Sequence, residues 1–185
     1  MRDISAGTDD DLLKRMWAGQ EDAFLTLYRR HQSAVFRFAS QMSGKAEIAE
    51  EVTQDVFMTL MRGPGQFDPA RGSLGAFLYG VARNFVLRAL ERERMYVGDS
   101  DEDPAAGDDV LGDLTRAERV NALREAILTL PAPYREVVVL CELHEIDYAQ
   151  AATALSCPVG TVRSRLHRAR ALLSSKLRAP EKKTV

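Results

Sequence analysis

An all-α fold is predicted by three features of this 185-residue sequence. Apolar residues recur at three- and four-residue intervals over long stretches, which is the spacing of one helix face. Runs of alternating β-branched residues are nearly absent, and the compact "VVVL" at Val137 to Leu140 sits inside a longer helical pattern. Glycine and proline cluster where one helical segment gives way to the next.

Four helices are expected in a first block running from about Asp9 to Met95, near 9–18, 21–43, 45–62 and 72–94. Gly44 separates the second from the third, and "RGPGQFDPARG", with Gly63, Pro64, Gly65 and Pro69, separates the third from the fourth. The third helix carries Ile48, Val52 and Val56 on one face, as a packed helix should. Its other side is also apolar, with Phe57, Met58 and Met61 near Glu50 and Gln54. Two readings stand there: a helix buried on both sides, or a partner-binding surface of adaptable methionines with an acidic rim. The fourth helix brings Phe77, Tyr79 and Phe85 close to Arg83, Asn84, Arg88, Arg92 and Arg94. Aromatics beside cations and an amide suit single-stranded DNA, by stacking and phosphate neutralisation. The four-residue spacing of Phe77, Val81 and Phe85 equally suits a core face.

The stretch from Val97 to Asp113, "VGDSDEDPAAGDDVLGD", has little to bury and reads as a flexible linker. It divides the chain into two small helical domains, 1–95 and 115–185, joined by an acidic tether at 96–114. In the second block, helices are expected near 115–129, 132–143, 147–154 and 159–177, with Pro131, Pro133 and Pro158 at positions where a helix can begin. Tyr148, Ala151, Ala152 and Leu155 share a face of the third, and the small alanines allow close helix packing. After the break "SCPVG", Val162, Leu166, Ala169 and Leu173 form the buried stripe of the last helix. This is a helix-turn-helix pattern. It leaves Arg163, Ser164, His167, Arg168 and Arg170 pointing outward, where long cationic side chains reach phosphates and base edges of a major groove.

Charge placement sharpens the reading. The net charge is only -2, yet Asp99 to Asp113 holds seven acids and no Lys or Arg, whereas Gly160 to Val185 carries a formal +7. A merely solvated helix face interleaves Glu with Lys or Arg. Between Gly160 and Pro180 there is no acid at all, so a polyanion is the expected partner.

Other chemistries find little support. Cys141 and Cys157 are too few for a disulfide scaffold, and with no signal-peptide pattern or membrane-length apolar run the cytoplasm is expected, without membrane insertion. Cys141, His144, Cys157 and His167 fit no zinc-finger spacing; they read as a buried thiol in the apolar run "VVVLC" and surface imidazoles. Phosphate-loop, dinucleotide and nucleophile-elbow patterns are missing, so neither catalysis nor a cofactor or metal is expected.

"LPAPYREVVVLCELHEIDYAQAATALSCPVGTVRSRLHRARALL" resembles region 4 of the extracytoplasmic-function (ECF) sigma factors, small sigma-70-type initiation factors. "DAFLTLYRRHQSAVFRFA" resembles region 2.1 of that family, "AEEVTQDVFMTLMR" region 2.2, and "FDPARGSLGAFLYGVARNFVLRAL" regions 2.3 and 2.4. The chain departs from the usual pattern at Ser156, where the turn commonly has Gly, at Gln150, commonly Glu, and at Phe77, often Trp.

The resemblance implies a sigma factor that brings core RNA polymerase to promoter DNA. Region 2.2 would grip the coiled coil of the largest polymerase subunit through Glu50, Gln54, Asp55, Phe57, Met58 and Met61. Asp68, Arg71, Arg83, Asn84 and Arg88 would meet minus-10 DNA, with a flipped-out base taken up by the loop from about Gly63 to Gly72. Region 4 would meet the polymerase flap and read the minus-35 element through Thr161, Arg163, Ser164, Arg165, His167, Arg168 and Arg170. An anti-sigma factor is implied as a further partner. Two rival readings rest on the same residues: a helix-turn-helix regulator with an N-terminal sensory or dimerisation domain, and a helical adaptor whose basic tail meets an acidic partner.

Overall fold

The computed structural model describes residues 7–97 and 115–177. Within them lie eight α-helices: α1 (Asp9–Trp17), α2 (Glu21–Ser43), α3 (Ala46–Met61), α4 (Leu74–Val97), α5 (Arg116–Leu128), α6 (Ala132–Val138), α7 (Tyr148–Ala154) and α8 (Val159–Leu177). The all-α expectation holds. The stretch expected as a linker, 96–114, begins within the last turn of α4, and its residues 98–114 lie outside the described residues, as does the tail from Arg178 onward.

Local chemistry explains the helix ends. Thr8 caps α1 by accepting a hydrogen bond from the Asp11 amide, and Asp9, Asp10 and Asp11 place negative charge at the positive end of that helix. Thr115 and Glu118 form a reciprocal capping box on α5. Asp147 caps α7, its Oδ1 accepting from the amides of Ala149 and Gln150 at 2.9 Å each. Pro131 and Pro133 open α6, where the missing N–H costs nothing.

Helices α1 to α4 close around Leu13, Leu27, Phe38, Val56, Leu60 and Leu78, none more than 1% exposed. The indole of Trp17 fastens α1 to the end of α3 by donating to the Leu60 carbonyl at 3.2 Å. Leu130, Val137, Leu140, Val162 and Leu166 form the centre of α5 to α8. Both sets belong to one contiguous apolar cluster. The last four helices lie against the first four, chiefly α7 on α4 and α5 on α2. Arg135 reinforces this seam: its Nη1 donates to the Met42 carbonyl at 2.6 Å, and its Nη2 donates to Leu128 and Leu130 carbonyls. Met42 stands in the last turn of α2, where carbonyls lack intrahelical partners, so a cation suits the site twice over.

One expected helix differs. The segment expected to run as a continuous helix over 132–143 is α6 followed by a π-helical turn, Val139–Leu143, closed by the His144 amide donating to the Val139 carbonyl. Three successive valines, Val137 to Val139, lead into this wider turn. It also turns His144 toward α2 and α4. The surface imidazole expected there is instead half-buried: Tyr79 Oη lies 3.0 Å from Nδ1 and Gln41 Oε1 lies 2.9 Å from Nε2. The two partners assign the neutral tautomer, with Nδ1 accepting from the phenol and Nε2–H donating to the amide oxygen.

Burial, with Arg37 adding to it, pushes the His144 imidazole down to about 4. The unfolded chain takes up that proton near pH 6.5, so stability from this group is present above about pH 6.5 and is lost as pH falls toward 4. Urea unfolding should therefore show wild type losing its advantage over His144→Asn between pH 7 and 4.5. A difference in midpoint that stays constant across that range would contradict the assignment.

Candidate functional site

The first surface is a groove of about 640 Å³ between α2 and α3. Glu50, Gln54, Phe57, Met58 and Met61 follow one another at helical spacing along its α3 wall, while Phe24, Tyr28 and Phe36 come from α2. Met58 and Met61 are 53% and 52% exposed, a large apolar outlay for solvent-facing positions. Phe57 differs from them. Its ring is 3% exposed, held edge-on by Tyr28 at 4.8 Å and by Phe24 at 6.4 Å, so it is the floor of the groove. Asp55 stands apart from this stripe, with Glu51 and near Arg92 of α4, whose Nη2 meets Glu51 at 2.8 Å. The groove thus unites five of the six residues expected to share a partner surface.

The second surface is a cleft of about 840 Å³ lined by the α3–α4 connection, the first half of α4, α7 and the α7–α8 turn. Asp68, Arg71, Arg83 and Asn84 all open onto it, and Arg88 follows one turn beyond Asn84, exposed. Asp68 shapes the connection by accepting from the Ala70 amide at 3.0 Å. Phe77 is half-buried against the buried ring of Phe67 at 5.4 Å, which supports the core reading of that aromatic. Arg83 is committed within the chain. Its Nε donates to Glu136 Oε1 at 2.8 Å, and Nη1 donates to Asn84 Oδ1 at 3.3 Å. Glu136 is 1% exposed; burial raises its carboxyl above the usual range, and Arg83, Arg165 and Arg135 oppose that rise.

The third surface is the helix-turn-helix of α7 and α8. Val162, Leu166 and Ala169 are at most 2% exposed, as the stripe predicts. Arg163, Ser164, His167, Arg168 and Arg170 are exposed, whereas Thr161 and Arg165 are half-buried. Two of the arginines are oriented from the neighbouring elements: Arg163 stacks over the Tyr148 ring at 5.8 Å, and Arg170 pairs with Glu142, Nε to Oε1 being 3.2 Å. Arg165 faces the other way, close enough to Glu136 to act on its carboxyl. The exposed ridge of α8 is therefore narrower than the arginine count, and its core is the pair Arg163 and Arg168 with His167 between them.

Glu136, Glu142, Tyr148 and His144 had no place among the expected site residues. Glu136 did carry a signal, since an acid within "YREVVVL" falls among residues that must be buried. Cys141 is half-buried, its thiol pushed up to about 11 by burial, and so stays protonated and unreactive at neutral pH. Among the described residues no helix is long and apolar enough to cross a membrane.

Residues 27–95 match the family model of sigma-70 region 2, and residues 121–173 match sigma-70, region 4. The ECF RNA polymerase sigma factor SigM of Mycobacterium tuberculosis is 31% identical over 167 residues, covering 90% of this chain and 83% of that protein. The ECF RNA polymerase sigma factor SigE of Mycolicibacterium smegmatis is 32% identical over 149 residues, 78% of this chain but 57% of the relative's own length. Among solved structures, the sigma factor RpoE in complex with the anti-sigma factor NepR from Bartonella quintana superposes with a TM-score of 0.65 at 28% identity, covering 83% of this chain and 96% of that one.

The turn between α7 and α8 holds a strained residue. Ser156 has φ of 49°, the left-handed region that favours glycine. Ser156→Gly should raise stability by up to about 1 kcal/mol in chemical denaturation while leaving the fold intact. A fall in stability would show that the serine side chain earns its place by contacts outweighing the strain.

Proposed function

The chain belongs to the extracytoplasmic-function sigma factors of the sigma-70 family, and we propose that it assigns core polymerase and promoter DNA to separate surfaces of its fold. It is a sigma factor: it binds RNA polymerase and directs promoter-specific transcription initiation. The α2–α3 groove, with Gln54, Met58 and Met61 at its lip and Phe57 as its floor, takes the coiled coil of the largest polymerase subunit. Asp68, Arg71, Arg83, Asn84 and Arg88 receive minus-10 DNA. Arg163, Ser164, His167 and Arg168 enter the major groove at minus 35, while Thr161, Arg165 and Arg170 border the contact and region 4 also meets the polymerase flap.

The observation that carries this reading is the separation of chemistries: a methionine groove fringed by an acid on α3, and an acid-free cationic ridge on α8. Thioethers and aromatics adapt to a protein partner, whereas clustered guanidinium groups need a polyanion to offset their mutual repulsion. Domain limits of 1–95 and 115–185, with 96–114 between them, fit this division. Nearly twenty linking residues reach roughly 60 Å when extended, enough to let two separate promoter elements be held at once. The polymerase performs the catalysis and this chain none, and the protein works in the cytoplasm. A similar sigma factor is held by an anti-sigma factor, so a protein of that kind is a further partner.

Run-off transcription with purified core enzyme on fragmented genomic DNA tests the whole reading; without selected start sites it fails. Arg168→Ala should lower transcription about 5- to 160-fold, the range of one lost groove contact, and leave competition for core polymerase unchanged. Met58→Asp should do the opposite, weakening core capture at least about tenfold while the affinity of the full-length variant for minus-35 duplex DNA stays unchanged. Equal loss of both activities in either variant would contradict the assigned surfaces.

A further inference from the structure

Three exposed side chains of α8, Arg163, His167 and Arg170, follow one another at helical spacing and so share one face. The two arginines at its ends are met by the same neighbour. Tyr148 is the first residue of α7, directly after Asp147, whose Oδ1 accepts from the Ala149 and Gln150 amides and fixes the start of that helix. Its ring lies under Arg163, with Cζ 5.8 Å from the ring centroid. Glu142 comes from the π-helical turn, and its Oε1 accepts from Arg170 Nε at 3.2 Å and from Nη2. Glu142, and after it the Tyr148 phenol, raise the Arg170 guanidinium further above its usual range.

These contacts engage different parts of a guanidinium. Stacking uses the flat face and leaves the N–H edges to an acceptor. Among the described residues no acceptor takes the N–H groups of Arg163. The carboxylate uses the edge itself, since Nε and one Nη form the side of the fork that otherwise meets a phosphate or a guanine. Arg163 is held by its face and Arg170 by its edge.

We propose that Tyr148 and Glu142 are positioning residues that give these arginines opposite tasks: Tyr148 presents Arg163 to the base edges, and Glu142 withholds Arg170 from the phosphates. The inference rests on α8 as the reader of duplex DNA, and it says which arginine carries sequence and which is kept from sequence-independent attraction. A phosphate contact acts on every sequence alike, so each one added also holds the chain on unrelated DNA. A carboxylate standing alone beside a duplex would repel it. Paired with Arg170, Glu142 adds no net charge at that end of the ridge, and attraction is concentrated at Arg163 and Arg168.

The test measures binding of the full-length chain to two labelled duplexes of about two helical turns, one from upstream of a start site selected in run-off transcription and one of mixed sequence. Glu142→Gln keeps the side-chain shape and releases Arg170, so the fall of log affinity with log salt should steepen by about 0.9 on both duplexes. In an Arg170→Ala background the same change should leave the slope where it was. An unaltered slope in Glu142→Gln alone, or an equal steepening without Arg170, would overturn the withholding. Tyr148→Leu should cut the preference for the promoter duplex about fivefold or more, whereas Tyr148→Phe, which keeps the ring, should preserve it. In an Arg163→Ala background Tyr148→Leu should cost nothing further, because its effect runs through that arginine. No loss in Tyr148→Leu, or the same loss in both backgrounds, would overturn the presenting role. Should Tyr148→Leu fail to fold, Arg163→Lys decides the point: it keeps the charge but cannot stack as a plane, and should lose the preference at an unchanged salt slope. A retained preference there counts against the proposal. If wild type prefers neither duplex and Arg168→Ala changes nothing, the reading of α8 as a DNA helix fails and takes the inference with it, a result distinct from the others.

Discussion

A carboxylate at 1% exposure must keep a cation within reach, and Glu136 does so with Arg83 at 2.8 Å and with Arg135 and Arg165 nearby. Burying such a group without a partner would cost several kcal/mol, so the surrounding elements are arranged about that need. Arg83 comes from α4, Arg135 is the neighbour of Glu136 on α6, and Arg165 comes from α8. One buried charge thereby links three helices that are distant in the chain. Of the arginines on α8, Arg165 is the half-buried one and acts electrostatically on this carboxylate, while Arg163, Arg168 and Arg170 face solvent.

The proposed division of partners turns on two kinds of surface that the fold keeps apart. Along α3, exposed methionines over a buried Phe57 make a soft, apolar seat; along α8, arginines without acids make a hard, electrostatic one. Each would be a liability on an isolated protein, through aggregation in the first case and self-repulsion in the second. Both become assets when the partner is a protein helix for one and a polyanion for the other. Tyr148 and Glu142 hold Arg163 and Arg170 in set directions, which would lower the entropy lost if, as proposed, a guanidinium is fixed on a duplex.

The helices were legible because each carries a stripe that only the α period explains. Val162, Leu166 and Ala169 are buried as their spacing requires, and Gly44, Pro64, Pro131 and Pro158 mark breaks between segments. Phe57 was ambiguous for a definite reason. It falls between the Ile48–Val56 face and the Met58–Met61 face, and periodicity cannot decide which side of a boundary position is wet; the rings of Phe24 and Tyr28 decide it. The π turn after α6 and the burial of His144 escaped notice because local pattern records the tendency to form a helix and not a change in its pitch.

The sequence by itself determined the all-α class, the helix-turn-helix, the cationic stripe and the family resemblance, since all are written in residue type and short-range spacing. Only the tertiary structure decided that Arg83 pairs with a carboxylate 53 residues away, that Arg165 is half-buried within electrostatic reach of the same carboxylate, and that α7 lies over α4. Those outcomes depend on which surfaces meet once the helices have formed. Contact between distant segments is governed by shape and desolvation in three dimensions, and no interval along the chain encodes it.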